Sequence, residues 1–389
     1  MFAKMSQDTK LLVSLLLPFF FNSCAHSVYL VYGIMLKNYG FTHQTTGWIL
    51  GIAFLTAMAA RPLGGWLLEN FGIRRTLVWS ATFSFVGCSL LFFKESTILL
   101  LIGRAVSGVG FGVYSTGIFS YQSLFVPEKK RGAMLSLLTI GGALPMIIVA
   151  PLGEWLLLTS RHTIYLALAP VLCVLCFVLG GRVGSAAAEE MRGRSEKPWG
   201  AYNELFSSRT FLFLIFTGTL IALLDAFIVS FSLFAVEKGL IASYFLTSQA
   251  IVAVLVRLAG SRLLNVLPRA VLLAPCGILM AFAVILVSLF PTNGVFVMGG
   301  IIFGIGIGTG WPMYLALIGD LLSPALRPKG TVMALIFFNA GFFLTPLIVG
   351  YFLPLFGTGR TFIMIALVAG GTLALLEIFY WLPSYAKAK

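Results

Sequence analysis

The chain has 389 residues, of which 59% are hydrophobic and only 10% are charged, and its net charge is +13. A soluble domain has about half apolar and about a quarter charged residues, so this composition excludes a disordered chain and argues against a soluble globular fold. The basic residues lie mostly in short segments between apolar runs, which indicates membrane topology and no nucleic-acid partner.

Apolar runs of membrane-spanning length recur along the whole chain. A spanning helix needs about 20 predominantly apolar residues. The sequence therefore predicts an all-α membrane protein with twelve transmembrane helices, near residues 11–36, 46–68, 76–93, 97–121, 132–157, 164–182, 210–236, 244–264, 270–290, 294–319, 330–353 and 361–382.

The longest polar stretch, residues 183–209, lies between the sixth and seventh spans. It divides the chain into a predicted first six-helix bundle, 1–182, and a second one, 210–389, with the stretch itself as a cytoplasmic linker. Apolar residues within the linker recur at near-helical spacing, which predicts a short helix on the membrane surface. These residues are Trp199, Tyr202, Leu205 and Phe206.

Lysine and arginine are unevenly distributed between the two sides that twelve spans define. With both termini assigned to the cytoplasm, the cytoplasmic segments contain 18 of these residues and the outer loops contain five. Basic residues stay on the cytoplasmic side of a membrane. The sequence therefore predicts a multi-pass protein of the cytoplasmic (inner) membrane with both termini in the cytoplasm.

The cysteines and histidines form one motif known from metal and redox centres, the C-x-x-C of Cys173 and Cys176. It has no partner pair and no nearby histidine, so we assign it to helix packing. All five cysteines lie inside apolar runs, and the three histidines, His26, His43 and His162, are far apart in sequence. No P-loop or H-E-x-x-H motif occurs, which disfavours ATP-driven transport and zinc proteolysis. We predict no cofactor, no metal site and no enzymatic activity.

The two halves of the chain repeat at a fixed offset of 196 residues. One block pairs Arg61 and Gly64 with Arg257 and Gly260. Glycines at helical spacing let helix backbones approach closely, and parallel six-helix repeats with a site between them are a transporter architecture. The second block pairs three glycines of the fourth span with three of the tenth, namely Gly108, Gly110 and Gly112 with Gly304, Gly306 and Gly308.

Two motifs add a family resemblance. The loop after the second span reads Gly65-x-x-x-Glu69-Asn70-Phe71-Gly72-Ile73-Arg74-Arg75, and the fourth span contains Arg104-x-x-x-Gly108-x-Gly110-x-Gly112. With the span count, the long central loop and the repeat, they make the chain resemble the major facilitator superfamily over its whole length. Glu69 and Asn70 depart from the family's usual Asp and Arg, and the second half has Asn265, not an acid, at the matching position.

The resemblance implies the major facilitator fold, in which two pseudo-symmetric six-helix bundles enclose a cavity lined by the first, fourth, seventh and tenth helices. It also implies a monomer, and a cytoplasmic gating motif in which the loop acid holds one gate state. The Gly- and Pro-rich fifth span is similar to a degraded antiporter motif, and the whole chain is most similar to drug, sugar-efflux and metallophore exporters. The gating motif comprises Gly65, Glu69, Gly72, Arg74 and Arg75.

Six ionisable residues stand inside the predicted spans, where the cost of burying charge makes them functional candidates. We predict that Asp225, near the middle of the seventh span, is the proton-coupling site, the alternative being a carboxylate fixed by an arginine or a helix dipole. Arg104 would hold Asp225 ionised, bind an anionic substrate or shape proton release. Arg61 and Arg257 suit a carboxylate or phosphate partner, or else extend to the cytoplasmic interface.

The two remaining acids are weaker candidates. Glu154 lies near enough to the outer end of the fifth span to reach water, and Glu377 lies near the inner end of the last span, which is peripheral in the family that the chain resembles. We assign neither a role in coupling.

Polar residues on the first span predict part of a cavity lining. Asn22, His26 and Tyr29 fall on one helical face. His26 is a further proton-coupling candidate, or else a histidine whose hydrogen bonds are satisfied within the core. The other residues predicted to line the substrate cavity are Tyr32, Tyr114, Trp311, Tyr314 and Asn339.

The leading hypothesis is a secondary active transporter that exports a small solute by alternating access, coupled to protons, with solute, protons and membrane lipid as its partners. The alternative within transport is an importer or exchanger of an organic anion, with Arg104, Arg257 and Arg61 as charge partners. An alternative of another class is a membrane enzyme or flippase-like scaffold, which would need a catalytic cluster that the sequence lacks.

Overall fold

The computed structural model describes residues 7–125, 131–191, 201–260 and 268–388 of the chain. Within these ranges the backbone is almost entirely helical and contains no strand. The helices are α1 Gln7–Ser27, α2 Tyr32–Asn38, α3 His43–Leu90, α4 Thr97–Phe125, α5 Arg131–Leu158, α6 His162–Met191, α7 Tyr202–Phe206, α8 Arg209–Asp225, α9 Phe227–Glu237, α10 Ser243–Gly260, α11 Arg269–Leu289, α12 Asn293–Leu321, α13 Arg327–Phe356, α14 Thr358–Leu376 and α15 Leu382–Ala388.

Twelve membrane spans follow from these helices. Eleven segments of the described chain are long and apolar enough to cross a membrane. One of them, α3, has 48 residues, which at about 1.5 Å per residue is more than twice the ~30 Å thickness of a bilayer core. It breaks at Gly72, where φ is +76° and ψ is 170°, a conformation that costs glycine little. Counting the two parts of α3 separately confirms the predicted all-α fold with twelve transmembrane helices.

The first and seventh spans are both interrupted near their middles. A turn of 3-10 helix, Val28–Val31, separates α1 from α2, and Ala226 separates α8 from α9. Leu30 and Ala226 differ by the repeat offset of 196, so the two interruptions occupy equivalent places in the two halves. Interrupted helices at matching positions are typical of substrate sites in transporters built from repeats.

Hydroxyl groups from neighbouring helices satisfy backbone carbonyls beside both interruptions. The Tyr165 hydroxyl on α6 donates to the Val28 carbonyl oxygen at 2.6 Å. The Thr345 hydroxyl on α13 donates to the Leu223 carbonyl oxygen at 2.9 Å. Because a buried carbonyl without a partner is costly, these two bonds stabilise the irregular backbone in the apolar interior.

The sequence repeat is also a repeat of packing. A Cβ added to Gly108 would lie 2.1 Å from the Ala53 carbonyl oxygen, and a Cβ added to Gly304 would lie 2.5 Å from the Gln249 carbonyl oxygen. Ala53 and Gln249 differ by the same 196 residues as the two glycines. The remaining pairs obey the same offset and confirm two pseudo-symmetric bundles: Gly112 against Ala57 with Gly308 against Ala253, and Gly110 against Ser80 and Ser84 with Gly306 against Cys276 and Met280.

Two long helix pairs join the halves of the molecule. In one pair, α3 packs along α13, so closely that a Cβ on Gly47 would lie 2.6 Å from the Pro346 carbonyl oxygen. In the other pair, α5 packs along α10. We call the end at which Gly65 of α3 meets α7 the linker end, and the end that carries α2 and the start of α10 the opposite end.

The short helix predicted in the linker is present as α7, Tyr202–Phe206. Leu205 is fully buried, and Phe206 is exposed, so α7 presents one apolar side chain to the bundles. Trp199, which belongs to the same prediction, lies outside the described residues.

Candidate functional site

A central cavity of about 210 Å³ lies between the two halves and is lined by residues of both. Its wall is mainly aromatic, and its polar residues are few. The aromatic residues are Phe19, Phe54, Phe111, Trp311, Phe338 and Phe342, and the polar ones are Ser23, His26, Ser27, Thr139, Asp225, Gln249 and Arg257.

Asp225 places a carboxylate on the wall of this cavity. It is the last residue of α8, directly before the interruption at Ala226. Among the described residues it forms no hydrogen bond and no ion pair within 4.0 Å, and its side chain is partly exposed to the cavity. A carboxylate without a partner in an apolar cavity is free to exchange a proton or to meet a polar group of a ligand.

Arg257 shares the cavity with Asp225 but is held in place by backbone carbonyls. Its Nε donates to Gly308 O at 3.3 Å, its Nη1 to Thr139 O at 2.7 Å and its Nη2 to Ile307 O at 3.4 Å. Arg257 therefore bridges α10 to α12 within the second half and to α5 of the first. It acts on Asp225 through electrostatic attraction across the cavity, not through a direct ion pair.

Arg104 does not reach the central cavity. It lines a second, much smaller cavity of about 20 Å³ beside it. Its Nε donates to Ile49 O at 3.2 Å and its Nη2 to Leu50 O at 3.4 Å, and its guanidinium lies 4.4 Å from the centre of the Tyr29 ring. The structure thus separates Arg104 from Asp225, which the sequence analysis placed on one cavity.

His26 lies between the two cavities and lines both of them. Its ring packs on Phe111, with 4.0 Å between the ring centres, and its Nε2 is buried without a hydrogen-bond partner in the described part of the chain. Of the three predicted proton-coupling residues, His26 is therefore the one that connects the surroundings of Asp225 with those of Arg104.

The other predicted cavity residues divide into one that lines the central cavity and several that do not. Trp311 lines it. The Tyr114 hydroxyl donates to Cys176 O at 3.2 Å inside the first half, and the Tyr314 hydroxyl donates to Ala334 O at 3.1 Å inside the second. Asn22, Tyr32 and Asn339 are buried off the cavity, each with a polar side-chain atom that has no partner among the described residues.

Arg61 also lies away from the cavity, unlike its repeat partner Arg257. It is 2% exposed, and its Nη1 donates to Ser115 Oγ at 3.3 Å and to Thr116 Oγ1 at 3.0 Å on α4. Neither arginine extends to an interface with water. The sequence analysis missed all five phenylalanines on the cavity wall, because a phenylalanine that faces a cavity has the same sequence signal as one that faces lipid.

At the linker end, the gating motif packs against α7. A Cβ added to Gly65 would lie 3.8 Å from the Tyr202 hydroxyl oxygen. Burial and the nearby Glu69 carboxylate raise the pKa of Tyr202 above its ordinary value. Glu69, Arg74 and Arg75 are all exposed, and no ion pair within 4.0 Å joins this acid to either arginine. The loop acid therefore lies near the linker helix and is not paired with Arg74 or Arg75.

At the opposite end, Glu154 forms a buried contact between the halves. The expectation that Glu154 reaches water is wrong, because the residue is only 2% exposed. Its Oε1 accepts from the Ala242 backbone N–H at 2.8 Å, and its Oε2 accepts from the Ser243 N–H at 2.8 Å and from the Ser243 hydroxyl. A carboxylate at a helix N-terminus satisfies free amides and is stabilised by the helix dipole. Glu154 of α5 thus caps α10 of the other half.

Comparison with known proteins gives matches to transporters. The sequence profile described as Major Facilitator Superfamily matches residues 12–292. The facilitated trehalose transporter Tret1 of Aedes aegypti is 28% identical over 121 residues, which is 31% of this chain and 15% of that protein. The multidrug resistance protein MdtH of Aeromonas hydrophila is 28% identical over 118 residues, 30% of each chain. The matched segment therefore spans less than a third of either relative.

A solved structure shows the same fold over nearly the whole chain. The crystal structure of the human organic anion transporter MFSD10 (TETRAN) superposes with a TM-score of 0.69, covering 96% of this chain and 99% of that one, at 14% sequence identity. At this identity the likeness concerns the fold alone.

Proposed function

The chain belongs to the major facilitator superfamily, and on that premise we propose that it is a secondary active transporter which exports a small solute in exchange for protons. The family and its transporter relatives indicate a transporter and not an enzyme. The solute would bind in the central cavity while the two halves expose that cavity to each side of the membrane in turn. The proposed setting is the inner membrane, with both termini in the cytoplasm and the chain acting as a monomer among lipids.

The observation that carries the proposal is the unpaired Asp225 carboxylate on the wall of a cavity between the halves. Exchange is coupled most directly when solute and proton compete for one group. A carboxylate with no fixed partner can be neutralised either by a proton or by a cationic or hydrogen-bonding solute. The aromatic wall suits a solute with an apolar or aromatic body, and a positive charge on it would gain from the ring faces.

Import or exchange of an organic anion is the second candidate. It is supported by the presence of Arg257 on the cavity wall. It is weakened by the three carbonyls that already accept from the Arg257 guanidinium, and by the position of Arg61 against α4. We therefore rank cationic or neutral solutes above anions of similar size.

The test is transport by purified protein in lipid vesicles with an imposed pH gradient. We expect gradient-driven flux of an apolar cationic solute, and at least a tenfold loss of that flux in Asp225→Asn. Glu377→Gln is the matched control, because Glu377 is also a buried acid of the second half but does not line the cavity. Gradient-driven flux that is unchanged in Asp225→Asn would remove Asp225 from the coupling mechanism.

The class of solute is tested separately by thermal unfolding with cationic, neutral and anionic compounds of matched size. Stabilisation by cations or neutral compounds supports the proposal. Stabilisation by anions alone would favour the second candidate.

A further inference from the structure

The small cavity beside Arg104 has a composition unlike that of the central one. Its volume of about 20 Å³ is enough for one water molecule or one monatomic ion. Its polar groups are those of Arg104, His26 and Tyr29, and the rest of its wall is apolar. No acid lines it among the described residues.

The charge of Arg104 is not compensated in this cavity. The residue is 2% exposed, and two of its three guanidinium nitrogens donate to the carbonyls of Ile49 and Leu50. The third, Nη1, is buried and has no partner in the described part of the chain. Arginine keeps its proton in proteins, and a buried cation without a counter-charge is strongly unfavourable. Arg104 therefore brings an uncompensated positive charge to the wall of this cavity, together with a donor that no described residue uses.

A second unused group belongs to another residue that lines the same cavity. His26 Nε2 is buried without a partner among the described residues, and with its proton on this nitrogen it is a donor. Two such groups on one cavity wall, with no carboxylate beside them, select a negatively charged or strongly accepting ligand. A cation would meet only repulsion from Arg104.

We propose that this small cavity binds one compact monovalent anion between Arg104 Nη1 and His26 Nε2. The anion is either a halide from solution or one carboxylate oxygen of a zwitterionic solute, neutral overall, whose body lies in the central cavity; this second source rests on the proposed function. The second source is sterically reasonable because the two cavities are adjacent, with His26, Leu30, Phe54 and Phe111 lining both.

The test is thermal unfolding of the purified protein in the sodium salts of chloride, bromide, formate and gluconate at constant ionic strength. Chloride and bromide should raise the unfolding midpoint saturably. Gluconate should not, because it is too large for the small cavity and its hydroxylated body does not suit the aromatic wall of the central one. Stabilisation by formate as well as by halides supports the site and assigns it to carboxylates too. Stabilisation by halides alone supports it as a halide site. Equal midpoints in chloride, bromide, formate and gluconate would overturn the proposal.

Two variants locate the effect. Arg104→Gln should lose the anion response, whereas Arg61→Gln should keep it, because Arg61 is equally buried but its Nη1 already donates to Ser115 and Thr116. If Arg104→Gln does not fold, Ala53→Val fills the cavity and leaves both charged groups in place. It should weaken chloride binding at least tenfold, measured by equilibrium dialysis with radioactive chloride. Wild-type chloride binding in Arg104→Gln or Ala53→Val would contradict the site.

Discussion

Removal of the Glu154 charge should open the opposite end of the molecule. In Glu154→Gln, one carboxylate oxygen that accepts from the Ser243 or Ala242 backbone amide becomes an NH₂ group, which cannot accept. The loss of one hydrogen bond to a charged group costs about 1.5–3 kcal/mol, and the loss of the charge at the N-terminus of α10 adds about 0.3–1 kcal/mol. The contact between the halves should therefore weaken by about 2–4 kcal/mol.

This free energy converts to a measurable change in access. Since about 1.36 kcal/mol corresponds to a factor of ten, the ratio of open to closed molecules should rise roughly 30- to 900-fold. Ser232 reports on it, because its side chain is 0% exposed and lies 3.5 Å from the position of a Cβ on Gly33 of the other half, at the same end. The assay is the rate at which a water-soluble thiol reagent labels Ser232→Cys, with and without Glu154→Gln.

Two controls accompany the assay. Labelling of each native cysteine is measured on its own peptide, so that it can be separated from labelling of Ser232→Cys. Four of the five native cysteines are buried, and Cys276 is partly exposed. Glu377→Gln, which removes a buried acid that does not join the halves, should leave the labelling rate unchanged. A rate in Glu154→Gln within threefold of the parent rate would refute the view that Glu154 holds this end closed.

Two further predictions concern packing and pH. Gly112→Ala and Gly308→Ala should each lower the free energy of unfolding by about 1–3 kcal/mol, and with it the unfolding midpoint. An added Cβ would lie 2.4 Å from Ala57 O in the first variant and 2.9 Å from Ala253 Cα in the second. Gly294→Ala is the control, because no atom lies within 4 Å of its added Cβ, and an equal effect there would contradict the packing argument. The pKa of Tyr202 is raised in the folded state. Docking of α7 should therefore be fully stable below about pH 10 and should weaken as the pH rises above the ordinary tyrosine pKa. The rate of protease cleavage near α7 should rise with pH over this range in the wild type, and the rise should be lost in Tyr202→Phe.

The global architecture could be predicted from the sequence because its signals are long and redundant. Twelve apolar runs and a repeat offset of 196 residues each point to the same fold. The glycine pairs predict packing because two helix backbones can approach this closely only where the residue has no side chain. The break at Gly72 also matched, since a loop between two spans was already required there.

The details of the site were less predictable, because the sequence does not tell which way a helix faces. Arg61 and Arg257 are equivalent in the repeat, yet one donates to α4 hydroxyls and the other lines the cavity. Arg104 and Asp225 lie on two neighbouring cavities. The burial of Glu154 could not be predicted, because a sequence shows how far a residue lies from the end of its span but not which residue of another span it contacts.

The paired interruptions near Leu30 and Ala226 are two matched places at which bending of a helix would cost least. Each one interrupts the regular α-helix between a longer segment and the short segment that follows it, α2 or α9. These two segments contact each other through Gly33 and Ser232, whereas the glycine pairs that hold α4 and α12 in their bundles lie on other helices. Bending at the two matched interruptions would move only the 7 residues of α2 and the 11 residues of α9, which is a smaller displacement than turning one whole bundle against the other.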